Sequence, residues 1–192
     1  MTNVFKTGKM MSNVVDSALT TGKAAAEMID GALVTLGDLA PDTAYAAFGA
    51  NEYDTYVIDA PAAATDRVAL VDYAGRNETV INGNTYKITE KLVGLKVPQG
   101  GITRVRIPYV DDIFWLGEGN FSAAPTVGKY ATAAAGVFTH APADTIPASG
   151  YTVQILAEED LNVGTRRDGK IYLVKVVQLS RTGRNEEIII NN

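Results

Sequence analysis

The order of apolar and polar residues changes character near Gly31. Between Ser12 and Ile29, the apolar pairs Val14–Val15 and Ala18–Leu19 fall four residues apart, which places them on one side of a short helix. The segment Thr20–Gly22 interrupts this spacing. We therefore predict an extended N-terminal arm over residues 1–30, with a weak helical tendency, that becomes ordered against a partner. A segment folded against its own domain is the alternative that the sequence leaves open.

Short β-prone runs bounded by Gly, Pro, Asn or Asp follow Gly31. Thr79–Ile81 and Thr85–Ile88 flank Asn82–Gly83, and Asn-Gly between two such runs is a strong hairpin signal. Further strands are predicted at Ala32–Leu39, Tyr53–Ala60, Arg67–Tyr73, Leu92–Val97, Val127–Ala133, Gly136–His140, Tyr151–Ala157 and Lys170–Leu179. About ten runs without a sustained helical stripe favour an all-β fold, either a β-barrel or a β-sandwich, including a β-tulip-like form.

The clearest strand covers Thr103–Tyr109. Its alternation places Val105, Ile107 and Tyr109 on one face and Arg104 and Arg106 on the other. Ile113–Leu116 is apolar and aromatic on both faces, which predicts a buried strand that includes Trp115. The pattern as a whole predicts a β-rich body over residues 31–180, followed by a C-terminal tail over residues 181–192.

Length, composition and charge narrow the class of protein. A chain of 192 residues fits one domain, or one domain with an extension, and is long enough to fold without disulfides. The absence of cysteine excludes a disulfide framework, a thiolate zinc site and a thiol nucleophile. The net charge is −5 but is uneven, because residues 32–164 carry eight basic and sixteen acidic side chains whereas residues 165–192 carry six basic and three acidic ones.

This charge distribution bears on the kind of partner. An acidic body opposes general nucleic-acid binding, which needs clustered Lys and Arg to displace counterions from phosphates. The basic C-terminal end suits docking onto an acidic protein surface, and an incidentally charged, solvated tail is the alternative. No apolar run is long enough to span a membrane, and Met10–Leu19 is too polar for a signal-peptide core. We expect neither a nucleic-acid nor a membrane partner.

The single histidine, His140, is the first candidate for catalysis. A Ser-His-Asp arrangement needs a hydroxyl within reach of the imidazole, and Ser122 and Ser149 are candidates only through their nearness in sequence. No Gly-x-Ser-x-Gly elbow accompanies them. We expect His140 to be an exposed or packed loop histidine. One histidine without cysteine also offers no usual zinc or copper site.

Clustered acids are the second candidate. Asp111–Asp112 and Glu158–Glu159–Asp160 are adjacent carboxylates, and a glycosidase needs two carboxyls facing each other across a sugar cleft. The only tryptophan is Trp115, so a lining of aromatic side chains for such a cleft is not evident, and solvated acids at turns are the simpler interpretation. No Asp-x-Asp-x-Asp-Gly calcium loop and no Gly-Lys-Ser/Thr phosphate loop is present. We expect no enzyme activity, no catalytic or metal-binding residue and no cofactor.

The tyrosines are dispersed along the chain. Five of them are either exposed at an interface or packed at the rim of a sheet. These five are Tyr45, Tyr53, Tyr56, Tyr73 and Tyr109. The sequence does not decide between the two roles, with rim packing slightly favoured.

Several segments resemble capsid decoration (cement) proteins of tailed bacteriophages. The run Gly31–Gly37, after an N-terminal segment, resembles the early strand of these proteins. The middle and end of the chain resemble them at Arg106–Pro108, Asp112–Phe114, Asn120–Phe121, Pro125–Tyr130 and Leu173–Gln178. The resemblance covers most of the chain after Gly31 through short patterns of common residues.

The resemblance implies a virion structural protein on the outer surface of an icosahedral head. Its expected partners are the major capsid protein and neighbouring copies of itself, with a trimer weakly favoured over a dimer or monomer. Its expected location is the capsid surface, and the host cytoplasm during assembly. The competing hypothesis from another class is a receptor- or carbohydrate-binding β domain of a phage tail or a surface adhesin.

Overall fold

The structure, a computed structural model, describes residues 4–15, 18–41, 51–73, 78–81, 84–87, 96–163 and 166–179. These residues are nearly all β, with no helix of seven or more residues among them, so the all-β prediction is confirmed. The strands in chain order are β1 (Phe5–Thr7), β2 (Leu19–Ala24), β3 (Met28–Ile29), β4 (Leu33–Pro41), β5 (Asn51–Asp59), β6 (Ala69–Asp72), β7 (Glu78–Ile81), β8 (Asn84–Lys87), β9 (Lys96–Val97), β10 (Ile102–Arg106), β11 (Ile113–Gly117), β12 (Tyr130–Thr132), β13 (Ala141–Ala143), β14 (Thr152–Val163) and β15 (Arg166–Gln178). Short 3₁₀ turns lie at Met11–Asn13 and at Glu118–Asn120.

Five strands close into a barrel in the order β10-β2-β5-β4-β6, and β6 pairs back to β10. Strand β2 is antiparallel to β10 and parallel to β5. Gly22 of β2 faces the interior, where a Cβ atom would lie 2.7 Å from Val105 and 2.8 Å from Ile58. Glycine therefore lets these two side chains fill the barrel at this level. The apolar interior consists of Ala24, Met28, Ala32, Val34, Ile58, Ala69, Val71, Val97 and Val105.

A six-stranded sheet, in the order β1-β11-β15-β14-β12-β13, covers one wall of the barrel. Barrel residues Leu33 and Leu70 belong to the same buried cluster as Phe114, Val153 and Val174 of the sheet, because alternate residues of β4 and β6 face outwards from the barrel. Each fully buried side chain of this size contributes roughly 1.5–3 kcal/mol. The molecule thus has two cores that share the β4–β6 wall.

The edges and the small sheets complete the architecture. Strand β13 forms one edge of the six-stranded sheet and contains Pro142, which has no N–H to offer to a further strand. Strands β3 and β9 pair with each other. Strands β7 and β8 also pair with each other, with Ile81 opposite Asn84, so the predicted hairpin is confirmed.

The N-terminal residues are not an extended arm, so this prediction is wrong for the described residues between 4 and 30. Strand β1 pairs with β11, and β2 is one of the five barrel strands. The helical spacing of Val14–Val15 and Ala18–Leu19 was misleading, since the described residues between 4 and 30 form no α-helix and Met11–Asn13 is a short 3₁₀ turn. Thr20 and Thr21, which interrupt that spacing, favour a strand because they are β-branched. The alternative of a segment folded against its own domain is the correct one.

Most of the remaining strands fall where the sequence predicts them. Strands β4, β5, β6, β12, β14 and β15 overlap predicted runs. Gly136–His140 forms no strand, because only His140 makes an isolated bridge and β13 starts at Ala141. Strand β15 ends at Gln178, and the predicted tail at 181–192 lies outside the described residues. Within the described ranges, no helix is long and apolar enough to span a membrane.

Candidate functional site

His140 is packed between aromatic rings and has no exposed surface. Its ring centroid lies 5.4 Å from that of Phe121 and 5.7 Å from that of Tyr151. Burial lowers the pKa of His140 to about 4, because the imidazolium loses its hydration, and the Asn120 carbonyl offsets this only in part. His140 is therefore neutral near pH 7, and the prediction of a packed histidine is confirmed.

The hydrogen bonds of His140 assign its tautomer. Nδ1 lies 3.2 Å from the carbonyl oxygen of Asn120, which can only accept, so Nδ1 carries the proton. Nε2 lies 3.2 Å from the Tyr151 hydroxyl and accepts from it. Burial raises the pKa of Tyr151 well above 10.0, which keeps this hydroxyl protonated. Ser122 meets His140 through its backbone N–H, and Ser149 is exposed, so neither serine hydroxyl is placed against the ring nitrogens.

Asn120 connects this histidine to the turn between β3 and β4. It is fully buried, its Oδ1 accepts from the Gly117 backbone N–H at 3.1 Å, and its Nδ2 donates to the Asp30 carbonyl at 2.6 Å. Gly31, with a φ of 75°, lies directly beneath the amide, where a Cβ would be 2.7 Å from Nδ2. The Asn120 side chain thus connects the 3₁₀ turn at Glu118–Asn120, which follows sheet strand β11, to the turn at Gly31, which precedes barrel strand β4.

The carboxylate of Asp30 holds two further segments. Oδ2 accepts from the Phe5 backbone N–H at 2.8 Å, and Oδ1 accepts from the Tyr73 N–H at 2.9 Å. Burial raises the pKa of Asp30 to about 7, since the two backbone bonds offset the lost hydration only in part and nearby Asp72 adds repulsion. Sequence reasoning missed this residue, because its partners lie 25 and 43 positions away.

Arg106 is the centre of a second buried polar cluster. Its Nε donates to Asp72 Oδ2 at 2.6 Å, and its Nη1 donates to Ser12 Oγ at 3.0 Å and to Asn13 Oδ1 at 2.9 Å. Alternation predicted that Arg106 faces away from Val105, and it does, but the 3₁₀ turn at Met11–Asn13 covers it. The arginine therefore fixes the N-terminal loop to the barrel wall.

The adjacent carboxylates Asp111 and Asp112 have separate roles. Asp112 is buried and accepts from the Met11 N–H at 2.7 Å and from the Tyr109 N–H at 2.9 Å, so its interpretation as a solvated acid is wrong. Asp111 is exposed, adopts a φ of 74°, and pairs with Lys175 at 2.7 Å, which lowers the pKa of its carboxyl. The two groups do not face each other across a cleft.

The second acidic run lies on the β14–β15 hairpin. Glu158, Glu159 and Asp160 stand opposite Tyr172, Ile171 and Lys170, and Lys170 forms an ion pair with Glu158. All three acids are exposed, as predicted, but they lie within strand β14 and not at a turn, so that part of the interpretation is wrong. No group of three or more His, Cys, Asp or Glu side chains in the described part of the chain is arranged to hold a metal ion.

A cleft of about 90 Å³ lies beside Tyr151. Substrate pockets usually occupy about 300–1,000 Å³, so this one has room for a few waters or a short side chain. Its opening lies against the loop that follows β10. The lining residues are Arg67, Val68, Ile107, Pro108, Tyr109, Tyr151 and Leu179.

The aromatic residues differ in part from the prediction. Phe114 and Leu116 of β11 are buried, but Trp115 is only half-buried on the outer face, opposite Lys6 and Leu173, so its predicted burial is wrong. The alternation of β11 leaves one of its faces partly open. Tyr56 and Tyr73 are half-buried and Tyr109 is exposed, whereas Tyr45 and the side chain of Tyr53 lie outside the described residues.

These features define an all-β protein with a closed five-stranded barrel, whose buried polar groups connect distant segments of its own chain. No family model, curated protein or solved structure matches the chain.

Proposed function

We propose that this chain is a non-enzymatic structural protein that decorates the outer surface of a tailed-phage capsid and bridges its major capsid subunits. The observation that carries the proposal is the length of the β14–β15 hairpin. Strand β11 pairs with β15 only from Ile171 to Lys175, and β12 pairs with β14 only from Thr152 to Gln154. Among the described strands, β14 beyond Gln154 pairs only with β15, and β15 before Ile171 pairs only with β14. The hairpin therefore extends past the sheet as a two-stranded ribbon from its base at Glu159 and Ile171 to Val163 and Arg166.

A ribbon of this kind suits a bridging role. An isolated two-stranded hairpin is marginally stable in water, and here it continues a supported sheet and carries a cross-strand Glu158–Lys170 ion pair. Its exposed acids, including Glu159, present charge away from both cores. Such an ordered extension can reach a neighbouring protein without the entropic cost of ordering a disordered arm.

The buried polar residues also support a structural role over catalysis. His140, Asp30, Arg106 and Asp112 all hold segments of the chain together through the contacts described above. The short sequence patterns that resemble capsid decoration proteins favour the same interpretation. We therefore interpret the barrel and the six-stranded sheet as a rigid body, and the ribbon as the segment that contacts a neighbouring protein.

The proposed mechanism is stabilisation through binding. A ligand that bridges capsid subunits only in the expanded shell stabilises that shell by mass action. Many copies on one head make the effect large even when each contact is modest. The expected partners are the major capsid protein and neighbouring copies of this chain.

The test mixes the purified protein with expanded and with unexpanded heads of the phage that encodes it. We expect stoichiometric binding to expanded heads and a higher disruption temperature of those heads. Equal binding to both forms, or to neither, would refute cementing. If the protein fails to bind heads and binds defined sugars on a glycan array, the receptor-binding hypothesis replaces it.

A charge reversal on the ribbon tests its role directly. Glu159→Lys should weaken binding to expanded heads, because Glu159 is exposed on the ribbon. The matched control is Asp38→Lys, which reverses an exposed charge on β4. Equal binding by both variants and the unaltered protein would show that the ribbon does not contact the shell.

A further inference from the structure

Two loops meet at one end of the barrel and are joined by a single carboxylate. Asp112 accepts from the backbone N–H of Met11 through Oδ1 and from that of Tyr109 through Oδ2. Both loops present apolar side chains to solvent above this junction. We call these side chains the two-loop patch, and they are Met11, Val14, Val15, Tyr109 and Val110.

The patch is exposed although the loops beneath it are firmly anchored. Val14 is 83% exposed and Val110 is 51% exposed. Below them, Arg106 bonds Ser12 and Asn13, and Ile113 donates its backbone N–H to the Lys9 carbonyl at 2.7 Å. A clustered apolar surface on ordered loops is typical of an interaction site, because its conformation is fixed before a partner arrives.

The charges beside the patch indicate what kind of surface it fits. Lys9 is exposed next to Met11, Arg67 is exposed beside Tyr109 in the cleft, and Lys175 is paired with Asp111. Asp112 is buried beneath the patch and Asp111 is paired with Lys175, so Lys9 and Arg67 leave a positive excess among the exposed charges of these residues, whereas the whole chain has a net charge of −5. A face-to-face pair of copies would bring like charges together, which disfavours a symmetric dimer through this surface.

We propose that the two-loop patch is the docking face for a different protein whose surface has an apolar centre bordered by Asp and Glu. This inference rests on the proposed function, in which that protein is the major capsid subunit. The apolar side chains supply buried area at the centre of the contact, and Lys9 and Arg67 pair with acids at its rim. The ribbon then makes a second, separate contact.

The first experiment measures binding of variants to expanded heads. A Val14→Asp/Val110→Asp double variant should bind at least about tenfold more weakly, because it places carboxylates at the centre of an apolar contact with an acidic rim. The control is Ile102→Asp, an exposed apolar residue (57%) at the opposite end of β10. Unchanged binding by the folded double variant would overturn the docking face while leaving the proposed function in place.

The second experiment does not depend on capsids. Octanoate, a small probe with an apolar chain and a carboxylate, is titrated into isotopically labelled protein below its micelle concentration. Chemical-shift changes should concentrate at Met11, Val14, Tyr109 and Val110, and Lys9→Glu should weaken them severalfold. Shift changes of equal size at Ile102 would overturn the docking face, and they would do so even if the unaltered protein also fails to bind heads.

Discussion

Arg106 donates from Nε to Oδ2 of Asp72 at 2.6 Å, across adjacent strands of the closed barrel. Both side chains are about nine-tenths buried. Arg104 also approaches the same carboxylate, at 3.4 Å, but its side chain is half-exposed. Asp72 therefore contacts two arginine side chains, and of these two only Arg106 is shielded from water.

Removing the buried arginine should be much more damaging than removing the exposed one. Arg106→Met leaves the Asp72 carboxylate buried without its main partner and releases Ser12 and Asn13, so we expect a loss of about 3–5 kcal/mol in the free energy of unfolding. Arg104→Met, the control, should lose no more than about 1 kcal/mol. Denaturant unfolding measures both, and equal losses would contradict this account.

Asp30 should make the protein less stable as the pH rises. Its pKa is raised from 3.8 to about 7 in the folded state, so the folded chain holds this proton more tightly than the unfolded chain does. The contribution of Asp30 to the free energy of unfolding is fully present below pH 3.8 and is lost as the pH rises through about 7. Its total is on the order of 4 kcal/mol. Unfolding of Asp30→Asn should lack this slope, whereas Asp59→Asn, an exposed control, should retain it.

His140 should make the protein less stable as the pH falls, which is opposite to the effect of Asp30. Its pKa is lowered from 6.5 to about 4, so its contribution to stability is present above pH 6.5 and is lost as the pH falls towards 4, on the order of 3 kcal/mol in all. His140→Gln should remove this slope. Tyr151→Phe, which removes only the hydroxyl partner, should retain the slope and cost about 1 kcal/mol at every pH. A retained slope in His140→Gln would assign it to another group.

Gly31 should tolerate alanine far less well than Gly100 does. Both have a φ of 75°, but a Cβ on Gly31 would lie 2.7 Å from Asn120 Nδ2, while one on Gly100 would meet nothing within 4 Å. Gly100→Ala should cost about 1–2 kcal/mol from backbone strain alone. Gly31→Ala should cost clearly more, because it also displaces the Asn120 amide from Asp30. Similar melting temperatures for the two variants would show that the Asn120 contact contributes little.

Deleting residues 1–24 should unfold the protein. The deletion removes β1 and β2, and β2 lies between β10 and β5 in the closed barrel. Circular dichroism and amide NMR spectra should show loss of the native fold, while deletion of residues 1–3 serves as the control. A folded truncation product would mean that the barrel can close with four strands.

The sequence predicted the strands better than it predicted their environment. Asn82–Gly83 marked a hairpin, and alternation placed Val105 and Arg106 on opposite faces of a strand, since both signals are local. Alternation placed Arg106 on the face opposite Val105, but it could not show that this arginine is buried, because its partners Asp72 and Ser12 lie 34 and 94 positions away. The long-range buried contacts of Asp30 and Asn120 were missed for the same reason, since they join residues 25 to 90 positions apart. Buried polar contacts across the fold leave no periodic signal in the neighbouring residues.

The N-terminal segment was misassigned for a different reason. Gly22 interrupts the helical spacing, and a glycine inside a strand is usually unfavourable. Here it is required by Val105 and Ile58, which fill the space that a side chain would take. Because β5 and β10 approach β2 closely, glycine is favourable at position 22, where the local sequence alone suggests an interruption.

The position of β2 in the barrel also constrains how the chain folds during synthesis. Its antiparallel neighbour β10 starts at Ile102, opposite Lys23, so most of the body must be made before the barrel can close. At about 5–20 residues per second, β2 waits several seconds for that partner. Pairing over such a sequence separation is slow even in the finished chain. One edge of β2 therefore stays open in the nascent protein until β10 has been made, and an open strand edge is a site at which another copy can pair.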